Sequence, residues 1–167
     1  MNIRSLVKKD LGVLDNLFER HSRYISTFGR WEGYFLDYEK GRKIVFVIEQ
    51  DNQIIGLGSL RFTSEYPYFK ENDIPEIYDV CVESQYQKQG LGTALISELE
   101  KQARKLGYKK IGLSAGFHQY YSNAQRLYFK LGYIPDGNGA TYNYQPVVRG
   151  EKRPIDDQLL LWFVKDL

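Results

Sequence analysis

The sequence predicts an α/β (α+β) layered domain, a central mixed β-sheet flanked by helices. Three observations lead there. Two β-rich runs, KIVFVIEQ (43–50) and QIIGLGSLRF (53–62), flank Asp51-Asn52 and read as a hairpin. After them, strand-like and helix-like segments alternate. The tetrapeptide KLGY then closes two separate helical stripes, at 105–108 and 130–133, so one glycine-ended stop is used twice rather than a unit being duplicated.

In chain order, DLGVLDNLFER (10–20) sets Leu11, Leu14 and Phe18 at helical spacing behind Asp10 as N-cap. Residues 21–41 are rich in aromatics (Tyr24, Phe28, Trp31, Tyr34, Phe35, Tyr38) and read as helical in part. The hairpin follows, then the strand EIYDVCV (76–82). A helix carries apolar residues at 91, 94, 95, 99, 103 and 106, one stripe of its surface, and Gly107 ends it. KKIGLSA (109–115) is a strand, and a helix over about 123–131 carries Ala124, Leu127, Tyr128 and Leu131 on one side. Residues 134–157, with Gly137, Gly139, Gly150 and three prolines, read as a long connection before a last strand, QLLLWFVK (158–165). No internal linker divides the chain, so one domain over 1–167 is expected.

Composition narrows the function classes. A formal charge of +2 over 167 residues gives no case for nucleic acid. No apolar run reaches the roughly 18 residues of a membrane span, and the N-terminus lacks the apolar core and cleavage site of a signal peptide. One cysteine, Cys81, and two histidines give neither a disulfide nor a metal spacing. A cytoplasmic protein without a metal is expected. Aromatic content of 15% suits a ligand pocket or an interface, and a homodimer is allowed.

The informative stretch is QYQKQGLGTAL (85–95). It is not a phosphate-binding Walker loop, because no lysine follows Gly92. It is not a dinucleotide fingerprint, because Leu95 stands where the third glycine belongs. It does fit Q/R-x-x-G-x-G/A as Gln87-Lys88-Gln89-Gly90-Leu91-Gly92, followed by Thr93. Glycines let the backbone approach a ligand, and successive N–H groups at a helix start favour an anion such as a pyrophosphate.

This loop, together with AQRLYFKLGYIPDG (124–137), resembles the GNAT superfamily of acyl-coenzyme A-dependent N-acyltransferases, whose second motif reads A-x-x-L-Y-x-k-x-G-[FY]. The likeness covers about residues 44–135. It implies a GNAT-like fold, a transferase using acetyl-CoA as co-substrate, and a cofactor site made of Gln87, Lys88, Gln89, Gly90, Leu91, Gly92 and Thr93. It also implies that backbone groups around Val80, Cys81 and Val82 pair with the pantetheine arm. Many members carry Asn three residues before the motif's alanine; this chain has Tyr121 there, and Asn123 lies out of register at the helix start.

Acyl transfer to an amine needs a base for the ammonium, a donor for the oxyanion and an acid for the leaving thiolate. Glu76 stands eleven residues before Gln87, a spacing similar to the general-base glutamate of the histone-acetyltransferase branch, against the alternative of a solvated strand-end carboxylate. Asp79 is its rival, on the opposite face of a regular strand unless a bulge re-aims it. A backbone N–H near Val80 or Cys81 would serve the oxyanion. Cys81 itself reads as a small packed residue, since direct transfer needs no acyl-enzyme. Tyr128 lies at the family's proton-donor position, with a core aromatic as the alternative. His118 precedes the second helix and is a further lining candidate.

The leading expectation is an N-acetyltransferase acting on a small-molecule amine. Asp73, Glu76 and Asp79 around the strand favour a polar or positively charged amine, and the aromatics at 24–38 suggest a lid over it. A catalytically silent acyl-CoA-binding module and a protein N-acetyltransferase are the alternatives. Turnover separates the first, and an open acceptor groove the second.

Overall fold

Asp51 and Asn52 take left-handed backbone angles, φ 50° and 61°, and close the predicted hairpin. Two consecutive positive φ values match the right-handed twist of the strands they join. The computed structural model describes residues 1–14 and 30–167, with 30–32 as backbone alone. Its regular elements are β1 (Asn2–Ser5), α1 (Arg30–Glu39), β2 (Lys43–Gln50), β3 (Gln53–Arg61), α2 (Pro67–Glu71), β4 (Glu76–Val82), α3 (Leu91–Lys105), β5 (Lys110–Gly116), α4 (Ser122–Lys130), β6 (Ile134–Tyr142), β7 (Gln145–Pro146) and β8 (Leu159–Asp166). The chain divides into two compact units, residues 1–62 with 78–101 and residues 63–77 with 102–167, so β4 contributes to both.

In the first unit the strand order is β1-β2-β3-β4. β1 and β2 are antiparallel with Asn2 opposite Glu49, and β2 and β3 are antiparallel with Lys43 opposite Arg61. Arg4 clamps the outer pair: it donates to both carboxylate oxygens of Asp10, at 2.7 and 3.0 Å, and to Glu49 at 3.0 and 3.1 Å. Asp10 also accepts the Val7 N–H at 2.9 Å. The core gathers Leu6, Leu14, Tyr34, Phe35, Val45, Val47, Ile54 and Leu57. Leu95, Ile96 and Leu99 of α3 are fully buried. At about 1.5–3 kcal/mol per side chain, their burial outweighs any propensity difference in holding this helix. Leu106, predicted on the same stripe, is exposed: it lies past the last turn. The predicted N-terminal helix is helical over 11–14; Phe18 lies outside the described residues.

In the second unit the order is β4-β5-β8-β6-β7, with β4 parallel to β5 (Glu76 opposite Gly112) and the other pairs antiparallel. The core is aromatic. Tyr66 stacks on Trp162 with centroids 4.2 Å apart, and Phe69 meets both edge-on at 5.1 and 5.2 Å. The Trp162 indole N–H donates to Thr141 at 2.8 Å. The two KLGY segments end their helices alike: Tyr108 N–H bonds Ala103 O, Tyr133 N–H bonds Tyr128 O, and Gly107 and Gly132 have φ of 90° and 85°.

The segment 134–157 is not a plain connection. Its first half is β6, hydrogen-bonded to β8, and β7 follows. Glycine and proline hide the strand from a pattern search because it carries a bulge: pairing jumps from Pro135↔Phe163 to Ala140↔Leu161, leaving 136–139 looped out with Gly137 and Gly139 left-handed. β1 and α2, four and five residues long, are too short for periodicity to register.

One glycine limits the second core. A Cβ on Gly112 would sit 2.2 Å from two atoms of the Phe69 ring, which Tyr66 and Trp162 hold in place. Gly112→Ala is expected to cost about 1–3 kcal/mol by overpacking, a fall in Tm of roughly 3–10 °C, as thermal unfolding will measure.

Candidate active site

In the first unit, β4 and the loop after it are set by close backbone contact. A Cβ on Gly56 would lie 2.9 Å from the Cys81 carbonyl oxygen, so the bare backbone of β3 lets β4 approach. Gly58 likewise faces Val80, Leu95 and Leu99. β4 is not regular: Asp79 has φ 54°, so the alternation that would set it opposite Glu76 breaks there. The Ser59 hydroxyl donates to the Tyr78 carbonyl at 3.0 Å beside that break. Val80 and Cys81 are half-buried and Val82 buried, and Cys81 packs against the core.

A single 3-10 turn, Ser84–Tyr86, leads into the loop. The Gln87 amide donates to the Val82 carbonyl at 2.8 Å, tying the loop to the end of β4. The Gln89 amide reaches Gln85 O at 3.4 Å. Lys88 and Gly90 are left-handed, φ 61° and 85°, which turns successive peptides in opposite senses. The first helical bond is Ala94 N–H to Gly90 O, so the N–H groups of Leu91, Gly92 and Thr93 precede the ladder. Leu91 is buried and anchors the start of α3, while Lys88, Gln89, Gly90 and Thr93 are exposed. A Cβ on Gly90 would meet no atom within 4 Å, so the space before it is open. Free N–H groups, the positive end of a helix and open space together suit a pyrophosphate.

In the second unit Glu76 is buried, 1% exposed. This departs from a solvated strand-end carboxylate. The Ser64 hydroxyl lies 2.6 Å from its Oε2. Ser64 is itself buried and accepts the Tyr66 N–H at 3.0 Å, and the Tyr66 hydroxyl donates to Asp136 at 2.7 Å.

Tyr128, on α4, is 8% exposed with Tyr133 and Phe163 as ring neighbours. Burial pushes its phenol up to about 12. The Gln125 amide donates to Gly116 O at 2.8 Å and fastens α4 to the end of β5. His118 Nε2 lies 2.8 Å from Asp157, which also accepts the Tyr121 hydroxyl at 3.2 Å. Tyr121, standing where many family members have Asn, lays its ring where a Gly116 Cβ would be, at 2.6 Å. Asn123 sits inside the first turn of α4 rather than capping it; the N-cap residue is Tyr121.

Two expectations about the acceptor change. Tyr34 and Phe35 pack into the first core rather than standing exposed; Tyr24, Phe28 and the Trp31 side chain lie outside the described residues. The three carboxylates are not an unopposed acidic patch. Glu76 faces Ser64, and Asp79 acts on the amine of Lys43. That amine is held down by burial, opposed by Asp37 and Asp79, and lies 3.8 Å from the Tyr34 ring centroid. Asp73 lines a cavity of about 320 Å³ with Tyr68, Tyr108, Lys109 and Lys110. Pattern reading missed Ser64, Gly56 and Gln125, whose parts appear only once strands are paired. Among the described residues no cluster of His, Cys, Asp and Glu could hold a metal, and no helix is long and apolar enough to cross a membrane.

A family model for the acetyltransferase (GNAT) family matches residues 12–133, well over half of the chain. The chain belongs to this family. Among curated proteins it is 30% identical over 100 residues to the amino-acid acetyltransferase of Buchnera aphidicola subsp. Schizaphis graminum (strain Sg). That match covers 59% of this chain, and the chain spans about a fifth (21%) of that relative. Among solved structures, an N-acetyltransferase from Staphylococcus aureus Mu50 superposes with TM-score 0.75 at 17% identity, over 99% of this chain and 97% of that one. YncA from Salmonella typhimurium, solved with its cofactor acetyl-CoA, gives 0.70 at 22% identity, over 99% and 93%. At these identities the structures share the GNAT fold, a mixed open sheet flanked by helices.

The buried phenol of this GNAT chain has a measurable consequence. The unfolded tyrosine ionises near 10, the folded one at about 12. The folded state therefore holds the proton longer, and stability is full below pH 10 and falls as pH rises through 12. Its contribution is of the order of 3 kcal/mol. Tyr128→Phe removes that slope, and denaturant unfolding at pH 9 to 11.5 is expected to show the variant losing less stability than wild type.

Proposed function

We propose that this chain transfers the acetyl group of acetyl-CoA to a primary amine of a small molecule by direct attack in a ternary complex. The observation that carries the reading is the loop Gln87–Thr93, whose left-handed Lys88 and Gly90 leave the first N–H groups of α3 without helical partners. Such a loop neutralises a pyrophosphate with backbone dipoles and needs no metal. Backbone groups of Val80, Cys81 and Val82 would take the pantetheine arm, and an N–H near Val80 or Cys81 the oxyanion.

Glu76 is the base of this proposal, directly or through water, and Tyr128 the acid. A carboxylate buried yet given a hydrogen bond is kept available to accept a proton. A phenol pushed up to about 12 stays protonated at neutral pH and can donate to the departing thiolate. The relative named for amino-acid acetylation has a small acceptor, which supports a small amine over a protein.

A panel of amines, amino acids, aminoglycosides and peptides, assayed for coenzyme A release, tests the reading. Release with small amines is expected; release with peptides alone would favour a protein acceptor, and none with any acceptor a silent binding module. Gly92→Asp sets a charged side chain at the second residue of α3, where the pyrophosphate should lie. It is expected to weaken acetyl-CoA binding at least about tenfold, roughly 1.4 kcal/mol, by calorimetry, with the fold intact by circular dichroism.

Tyr128→Phe keeps the ring and deletes the hydroxyl. Its kcat is expected to fall at least about tenfold, the low side of general-acid contributions because water can substitute. KM for acetyl-CoA should hardly change. Full kcat with a lowered Tm would instead make Tyr128 a core residue.

A further inference from the structure

The buried hydroxyl of Ser64 has one proton and two neighbours. Its oxygen accepts the Tyr66 N–H at 3.0 Å, and Glu76 Oε2 lies 2.6 Å away. Since the N–H supplies its own hydrogen, the hydroxyl proton is left for the carboxylate. A hydroxyl-to-carboxylate contact of this length is charge-assisted and among the stronger hydrogen bonds a protein makes.

Ser64 is also held from behind. The Tyr66 ring stacks on Trp162 at 4.2 Å and its hydroxyl donates to Asp136 in the β6 bulge. The backbone N–H that orients Ser64 thus belongs to a residue fixed at both ends of its side chain. Tyr66 is 4%, Ser64 2% and Glu76 1% exposed, so water does not compete freely for the contact.

We infer that Ser64 is a positioning residue for the reaction, acting through Glu76: its aimed proton fixes one carboxylate oxygen and favours the charged form that must accept the amine's proton. This rests on the reading of Glu76 as base. Burial alone would favour the neutral acid. A hydrogen bond that stabilises only the anion opposes this and keeps the base working at lower pH. Of the titratable groups on the flanking strand and segment, Lys110 and Glu65 are exposed, and Tyr66 gives its hydroxyl to Asp136. On β4 itself Tyr78 and Asp79 follow.

The test compares pH profiles of kcat/KM for wild type, Ser64→Ala, Ser64→Thr and Glu76→Gln, with the amine acceptor that releases most coenzyme A. Ser64→Ala is expected to move the acidic limb up by about one pH unit, a tenfold loss on the acid side with the plateau nearly kept. Ser64→Thr should restore the wild-type limb, because its hydroxyl can make the same bond. Carbon NMR of labelled glutamate, assigned through Glu76→Gln, reads the same displacement without turnover and covers a Ser64→Ala enzyme too weak to assay. A Ser64→Ala limb and glutamate titration both unmoved, with Glu76→Gln inactive, would overturn the inference and leave the base assignment standing. A Glu76→Gln enzyme with wild-type rate and limb would overturn the base assignment, and the inference with it.

Discussion

A carboxyl group taken almost wholly out of water has to be given a donor, and that requirement organises the second unit. Glu76 opens β4 directly after Pro75, whose carbonyl accepts the Gly112 N–H, so the backbone there is committed to the sheet. The side chain must find its partner elsewhere, and finds the Ser64 hydroxyl. Ser64 is placed by Tyr66, Tyr66 by Trp162 and Asp136, and Trp162 by Thr141. Each link satisfies a buried polar group at the cost of fixing the next residue. A chain of this kind is rigid because leaving any one group unmet costs about 1–3 kcal/mol.

On the proposed reading the first unit meets a different demand, that of presenting backbone rather than side chains. Its loop would work through N–H groups, so the backbone beneath it must be closely placed. Gly56 lets the Cys81 carbonyl approach, Gly58 admits Val80 and Leu95, and Gln87 ties the loop to Val82. None of these residues needs to touch a ligand to matter. They set where the end of β4 lies, and with it where α3 begins.

The hairpin, α3, both helix stops and three of the later strands were legible because periodicity and turn chemistry are local. The loop proposed to hold the pyrophosphate was legible for the same reason: its glycines and the helix after them are neighbours in sequence. Glu76 and Tyr128 entered through family resemblance; the one-sided stripe of α4 already set Tyr128 among packed residues, whereas the burial of Glu76 did not follow from any pattern. Ser64 could not be read at all, since a serine twelve positions before a glutamate is unremarkable until β4 is in place. β6 was read as a connection because its bulge recruits the residues that usually break strands. The acidic character expected around β4 faded once Lys43 and Ser64 took their places beside two of the carboxylates.

Tyr121 and Gly116 form a lock of shape rather than of charge. The tyrosine ring occupies the volume that any side chain at 116 would claim, and its hydroxyl is secured by Asp157. The two positions therefore cannot drift independently. A side chain at 116 requires a smaller residue at 121, and asparagine at 121 would open a void that a larger residue at 116 can fill. Variation at these two sites should therefore be paired, the aromatic at 121 constraining the strand end as well as touching it.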